Sequence, residues 1–344
     1  MVPAPFDTIS GSALYDRRMV EGLRAQGHRV RVVELAGRFP DPDQAAIDAA
    51  HAAWADLAAD SIALIDGQAL PAFAALAPAM TPREAVALIH HPVSQETGLS
   101  QEVAHRLGTL EATLFAAVPR LVTTSEQTAE RLAADFKVDL ERITAIVPGM
   151  EDLPRSSGSR DGGCAILSVG TLIPRKGHDV LMRSLSRLFD LDWRLTIVGG
   201  ADRDPVHAHG LMALAEELQI ARQVTFAGEM APDTMESLWR NTDLFALTSW
   251  YEGYGMALAE ALRRGLPVAV TATGVAPTLV PPEAGVVCAP GDVEQLSKAL
   301  RRLIFDDSLR RDMASVAWEA GRTLPSWPQQ AALLASVLDR SAAS

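Results

Sequence analysis

Short apolar runs rich in Val, Ile and Leu alternate with helix-length amphipathic segments along almost all of the 344 residues. Fully apolar strands separated by helices belong to parallel sheets covered on both faces, because a strand that meets water on one side alternates polar with apolar residues. In the first half the strand candidates are 29–35, 61–66, 85–91, 120–125 and 143–148, with a stub at Val2–Pro3. In the second half they are 164–170, 193–199, 223–228, 243–249, 267–271 and 285–289. The helix between Gly11 and Gly27 shows the pattern: Leu14, Val20 and Leu23 form one stripe, Arg17, Glu21 and Arg24 face outward, and Gly27 supplies the stop. After Asp292 the chain turns purely helical, with segments at 293–305, 307–322 and about 327–340.

The chain therefore reads as α/β, with two doubly wound Rossmann-like domains. Its length suits about two domains, and 48% hydrophobic residues are enough for two cores. The domains are placed at 1–152 and 164–325, joined by a Pro/Gly/Ser-rich linker at 153–163 that lacks apolar periodicity. The carboxyl ends of two such sheets, facing each other, would enclose one central cleft where ligands bind.

Charge narrows the partners. Residues 1–160 hold 14 basic and 21 acidic residues, and the rest of the chain 17 and 22, so neither half offers the basic face that nucleic acid requires. The same acidity gives no indication of a membrane partner, and the acidic, Ala-rich helix expected within 41–60 tilts the acceptor side toward a soluble molecule. Cys164 and Cys288 lie in apolar stretches away from metal-ligand spacing and read as buried thiols in a reducing compartment. No apolar run approaches the ~18–20 residues that span a bilayer, and the first residues carry no signal-peptide pattern, so a cytoplasmic location is expected. Val2–Pro3 reads as the end of a strand whose beginning is missing.

Two segments carry chemistry. In Leu247–Leu262 (LTSWYEGYGMALAEAL) a strand ends, a glycine turn follows, and a helix begins near Gly255. Glycine lets backbone approach a ligand, and free N–H groups at a helix start favour an anion. Glu252 sits in the turn, and Glu260 lies five residues into the helix, roughly 7.5 Å along its axis. Carboxylates only accept hydrogen bonds, so each suits hydroxyl pairs such as those of a ribose. An ordinary strand–turn–helix with a solvated Glu at either end would read the same. In Leu167–Val180 (LSVGTLIPRKGHDV) a strand ends in Gly170, Arg175 and Lys176 stand together at a loop tip, and Gly177 precedes a helix. A forked guanidinium beside an ammonium suits a diphosphate, although two surface charges would look alike.

Together, GYGMALAE preceded by Glu252, VGTLIPRKG, Ser10-Gly11-Ser12 and IVPGME (146–151) resemble the retaining GT-B glycosyltransferases of family 4, the group 1 type, over essentially the whole chain. The resemblance implies a GT-B fold whose last helix, 326–344, packs back on the first domain. It implies a nucleoside-diphosphate sugar as donor and transfer to an acceptor hydroxyl, with no metal and no other cofactor. Glu260 matches the ribose-holding glutamate and Glu252 the one facing the transferred sugar, while Gly253, Tyr254, Gly255 and Met256 match the backbone at sugar and phosphates. Arg175 and Lys176 match the cations on the diphosphate, Gly11 the N-terminal glycine loop, and Gly228–Met230 the segment that reads the base. His90 matches a histidine at the sugar's reacting face, so the catalytic set is Glu252, His90, Arg175 and Lys176; a buried, hydrogen-bonded core histidine is the other reading of His90.

Three positions depart from the family pattern: Thr171 where Arg is frequent, Gly11-Ser12 in place of Gly-Gly, and His91 where an acidic residue is usual. Asp-x-Asp occurs at 41–43, 190–192 and 202–204, but only the last follows a strand, and His207-x-His209 has no third ligand nearby in sequence. No Gly-x-Gly-x-x-Gly and no Gly-x-Ser-x-Gly occurs. A sugar phosphorylase or epimerase on the same fold, or a non-catalytic sugar-nucleotide binder, is the alternative. The sugar, the base, the acceptor and the oligomeric state have no residue code to read.

Overall fold

A computed structural model of the chain describes residues 1–96, 98–159 and 162–342. Among them twelve strands pair, all in parallel, in three sheets. β1 (Val2–Pro3) and β2 (Glu34–Leu35) pair with each other. β3 (Leu64–Asp66), β4 (Val86–Ile89), β5 (Arg120–Thr123) and β6 (Ile143–Ala145) form a second sheet in sequence order. The third holds β7 (Cys164–Val169), β8 (Trp193–Val198), β9 (Val224–Gly228), β10 (Leu244–Leu247), β11 (Val268–Thr271) and β12 (Gly285–Cys288). Its order is β12-β11-β10-β7-β8-β9, which reverses between β7 and β10; such a reversal is where open α/β sheets bind ligands.

The chain divides into two compact units: residues 1–149 with the segment from Pro325 onward, and 150–324. In the first unit the helix Gly11–Ala25 buries Tyr15, Asp16, Met19 and Leu23 rather than the Leu14–Val20–Leu23 stripe expected, and Leu14 is exposed. The difference has a packing cause, because this helix also meets the last one, Trp327–Ala342. A Cβ on Gly22 would strike the Ala331 side chain, and the Tyr15 and Trp327 rings lie edge to face at 5.9 Å. Tyr15 donates its hydroxyl to the Ile146 carbonyl at 2.8 Å. Of the strand expected at 29–35, only Glu34–Leu35 forms, since β1 offers just two residues to pair with.

The second unit shows the period-2 logic of a doubly covered sheet. Ile166, Leu195, Ile197, Leu244, Ala246 and Ala269 face a core completed by helices His178–Leu185, Pro205–Glu217 and Val293–Phe305. Leu167, Val198, Phe245, Leu247, Val268 and Val270 face a second core, completed by helices Pro232–Arg240, Met256–Arg263 and Asp307–Arg322. The stretch expected as a free linker is instead fastened to this unit. Ser156 N–H donates to the Arg264 carbonyl and Ser157 N–H to the Arg240 carbonyl, both at 2.9 Å, and Arg263 reaches Asp152 and the Glu151 carbonyl. Serine and glycine here supply short hydrogen bonds rather than slack. Arg160 and Asp161 of that stretch, and Ala343 and Ser344 of the expected last helix, lie outside the described residues.

Candidate functional site

The loops that leave β7 and β10, the two strands at the reversal, are locked to each other. Gly177 adopts a left-handed conformation (φ +61°), and a Cβ there would strike the Thr248 carbonyl, so only glycine fits. Thr248 Oγ1 donates to the Gly177 carbonyl at 2.8 Å, and Trp250 N–H to the Arg175 carbonyl at 2.8 Å. This brings Arg175, Lys176 and Glu252 together, although Lys176 and Glu252 are 76 positions apart. Lys176 Nζ donates to Glu252 Oε1 at 2.6 Å, as does Ser249 Oγ at 2.6 Å, and Arg175 Nη1 stands 3.9 Å from Oε2 while donating to the Tyr251 carbonyl at 2.9 Å.

Glu252 is 8% exposed. Burial alone would raise its carboxyl, but the Lys176 and Arg175 charges and the hydrogen bonds from Lys176 and Ser249 outweigh it and lower it below the ordinary value. Gly255, at φ +98°, then starts the helix Met256–Arg263, where a Cβ would make only an ordinary contact with the Leu258 side chain at 3.8 Å, and no side chain caps the helix's first N–H groups. Gly253 and Tyr254 complete the turn, with Tyr254 buried and its hydroxyl pushed up to about 12 by burial. Arrangement and charge together make an anion receptor at the carboxyl edge of the sheet.

Glu260 lies on the same helix, but Arg264 one turn later holds it: Nε and Nη2 both reach Oε1 at 3.0 Å. Arg264, 4% exposed at its side chain, also meets Glu236 Oε2 at 2.7 Å and sits over the Trp239 ring at 5.4 Å. Burial raises the Glu260 carboxyl, opposed by Arg264 and assisted by the Glu236 and Glu151 charges. Met230 follows β9 and packs half-buried against the core of Leu167 and Val198.

Gly11 and His90 belong to the first unit. Gly11 is the first residue of its helix, capped by Ser10, whose Oγ accepts from Ala13 N–H at 3.1 Å. His90 follows β4 directly, and its Nε2 faces Asp16 Oδ1 at 3.0 Å and Asp66 Oδ2 at 3.5 Å. Burial would lower this imidazole, but Asp16 by charge and hydrogen bond, and then Asp66, raise it to about 10. His91 pairs with Glu96 at 2.9 Å, and buried Glu111 accepts from Val93 N–H at 2.6 Å, fixing the turn beyond. Asp16 and Asp66 were not singled out by motif. The signal available was a charge on the apolar face of one helix and another closing an apolar run.

The ligand atoms of Asp16, Asp66 and His90 all lie within 4.8 Å of one another. Asp16 and Asp66 also hydrogen-bond to each other, so the three side chains form one buried polar cluster. Asp204 is spent as the cap of helix Pro205–Glu217, its Oδ1 accepting from His207 N–H at 2.9 Å, and His209 Nδ1 is 2.7 Å from the Pro205 carbonyl. Both cysteines are buried and unpaired. A recess of about 790 Å³ opens at the opposite edge of the six-stranded sheet, lined by Ser156–Ser159, Asp243 and Arg311. Among the described residues, no helix is long and apolar enough to cross a membrane.

Residues 149–319 match the family described as glycosyl transferases group 1. A D-inositol 3-phosphate glycosyltransferase of Rhodococcus opacus is 29% identical over 238 residues, 64% of this chain and 52% of the relative. The chain thus spans about half the length of the curated relatives it matches. Sucrose-phosphate synthase of Thermosynechococcus elongatus superposes with a TM-score of 0.80 at 19% identity, over 97% of this chain and 94% of that one. HepE of Anabaena, solved with UDP and glucose, gives 0.78 at 18% identity over 98% of both chains. These structural likenesses establish a GT-B fold, and with residues 149–319 carrying the family's pattern, the chain belongs to the group 1 glycosyl transferases.

Proposed function

We propose that this chain moves a sugar from a nucleoside-diphosphate sugar to an acceptor hydroxyl with retention of configuration and without a metal ion. The observation that carries the reading is the clasp of Lys176 and Arg175 on Glu252 beside the free start of helix Met256–Arg263. Two cations and a helix N-terminus supply the positive charge a departing diphosphate needs, so the charge-stabilising work assigned to a metal in other transferases has candidates here among protein groups.

Glu260 would accept from the ribose hydroxyls, with Arg264 keeping its carboxylate in place. Gly253–Met256 would meet the sugar and phosphates, Met230 would border the base, and Gly11 would line the sugar's side. In the reaction the acceptor oxygen bonds to the anomeric carbon on the face from which the diphosphate departs. The carbon–oxygen bond to phosphate breaks, and the acceptor's proton passes to the leaving phosphate oxygen, so no protein nucleophile is needed. Glu252, freed of its cations by the diphosphate, would turn to the sugar hydroxyls.

The relatives named for D-inositol 3-phosphate and the HepE complex with UDP and glucose support a small hydroxyl-bearing acceptor and a nucleotide-sugar donor. Calorimetric titration of UDP, GDP and ADP with EDTA present tests the donor half. One nucleotide binds with micromolar affinity, and Glu260→Ala loses it; silence from all three in a folded protein overturns the reading. Release of free nucleoside diphosphate only when an acceptor is added separates transfer from phosphorolysis and epimerisation.

A further inference from the structure

Two features of the second unit stand outside the proposed chemistry: the pair Gly199-Gly200, which follows β8, and Glu229, which follows β9. Along the carboxyl edge the strands run β10, β7, β8, β9, and the loops that leave the last three touch in turn. Leu172 N–H, in the loop that carries Arg175 and Lys176, donates to the Gly200 carbonyl at 2.9 Å, and Gly199 N–H donates to the Gly228 carbonyl at 2.9 Å. A Cβ on Gly199 would strike the Gly170 carbonyl, and one on Gly200 would meet Glu229 Oε1 at 2.7 Å. The Glu229 side chain thus lies back across the exit of β8, toward the cation loop. Glu229 is exposed, and its carboxylate makes no hydrogen bond or ion pair among the described residues.

The Glu260 bridge gives the direction in which a nucleoside extends from the diphosphate site. Arg264 joins Glu260 to Glu236, and Glu236 lies on the helix Pro232–Arg240, which opens three positions after Glu229. A ribose held by Glu260 therefore lies on the β9 side, and β9 stands two strand spacings, about 10 Å, from β7. That is the scale on which a ribose separates its base from its phosphates. We infer that the base of the donor is guanine and that the Glu229 carboxylate selects it. This rests on the proposed reading of the site as one for a nucleoside-diphosphate sugar with Glu260 at the ribose. An ionised carboxylate only accepts, through two oxygens side by side. Guanine alone of the common bases offers two adjacent donors on one edge, N1–H and the N2 amino group, so it satisfies both oxygens at once. Uracil offers one N–H between two carbonyl oxygens that a carboxylate repels, and adenine one amino group next to an acceptor nitrogen.

The test is calorimetric competition on the full chain, with GDP, inosine diphosphate, UDP, ADP and inorganic diphosphate as probes. Inosine diphosphate keeps N1–H and lacks the 2-amino group, so it should bind about tenfold more weakly than GDP, with UDP and ADP weaker still. In Glu229→Gln one acceptor becomes an N–H donor, so the preference for GDP over inosine diphosphate should disappear. Inorganic diphosphate should bind that variant as it binds the wild type, which separates a lost base contact from a folding defect. A wild type that binds UDP or ADP more tightly than GDP overturns the inference and leaves the donor site standing. A preference for GDP over inosine diphosphate that survives in Glu229→Gln does the same. Silence from every nucleotide overturns the donor site and the inference with it.

Discussion

Glu252 serves as a counter-ion in the free protein, and this sets what its removal should do. With the carboxylate replaced in Glu252→Gln, Lys176 and Arg175 lose their competitor for a diphosphate, so nucleotide affinity should hold or rise. Transfer should fall about 10²–10³-fold, the usual cost of one lost transition-state contact; calorimetry and a diphosphate-release assay on the same protein read both. Lys176→Ala should weaken nucleotide binding about tenfold or more, because a charged hydrogen bond contributes about 1.5–3 kcal/mol. Glu252→Gln and Lys176→Ala therefore separate on affinity, which a merely structural role for either would not produce. The pairing itself could not be read from the sequence: Lys176 and Glu252 are 76 positions apart, and only the lateral adjacency of β7 and β10 closes that gap.

Among the elements, the strand–turn–helix units were legible because they obey local rules. An apolar run ending in Gly170 marks β7 and one ending at Ser249 marks β10, and helices Val293–Phe305 and Asp307–Arg322 form at the boundaries read from the pattern, each capped by the aspartate before it. What local rules miss is which face of a helix is covered twice. The helix Gly11–Ala25 turns Asp16 inward because two neighbours claim its surface, and no stripe analysis weighs the second neighbour. Composition likewise misjudged 153–163, where serine hydroxyls bond carbonyls of the adjoining helix ends. Gly177 yields the sharpest test at this scale. Gly177→Ala forces a side chain into the left-handed region and onto the Thr248 carbonyl, so thermal unfolding should report a loss of about 1–3 kcal/mol, together with weaker nucleotide binding.

For the molecule as a whole, the buried triad predicts a pH signature of stability. His90 is raised to about 10, above its unfolded value of about 6.5, so its contribution is fully present below pH 6.5 and is lost as pH climbs through 10. Asp16, raised to about 6 by burial, runs in the same direction at lower pH, while the Met1 amine, lowered by burial, opposes it. The margin by which the wild type outmelts His90→Gln should therefore shrink steadily between pH 6.5 and 10. A margin that is flat with pH would contradict the charged triad. The split of the chain has a consequence of another kind. Gly149 lies so close against the Trp327 backbone that no side chain fits between them, and the helix Trp327–Ala342 completes the first unit's packing. A ribosome therefore releases the whole of residues 150–324 before it delivers the piece that the first 149 require. The later unit can finish first, and the earlier one must wait, half-covered, until the helix Trp327–Ala342 is made.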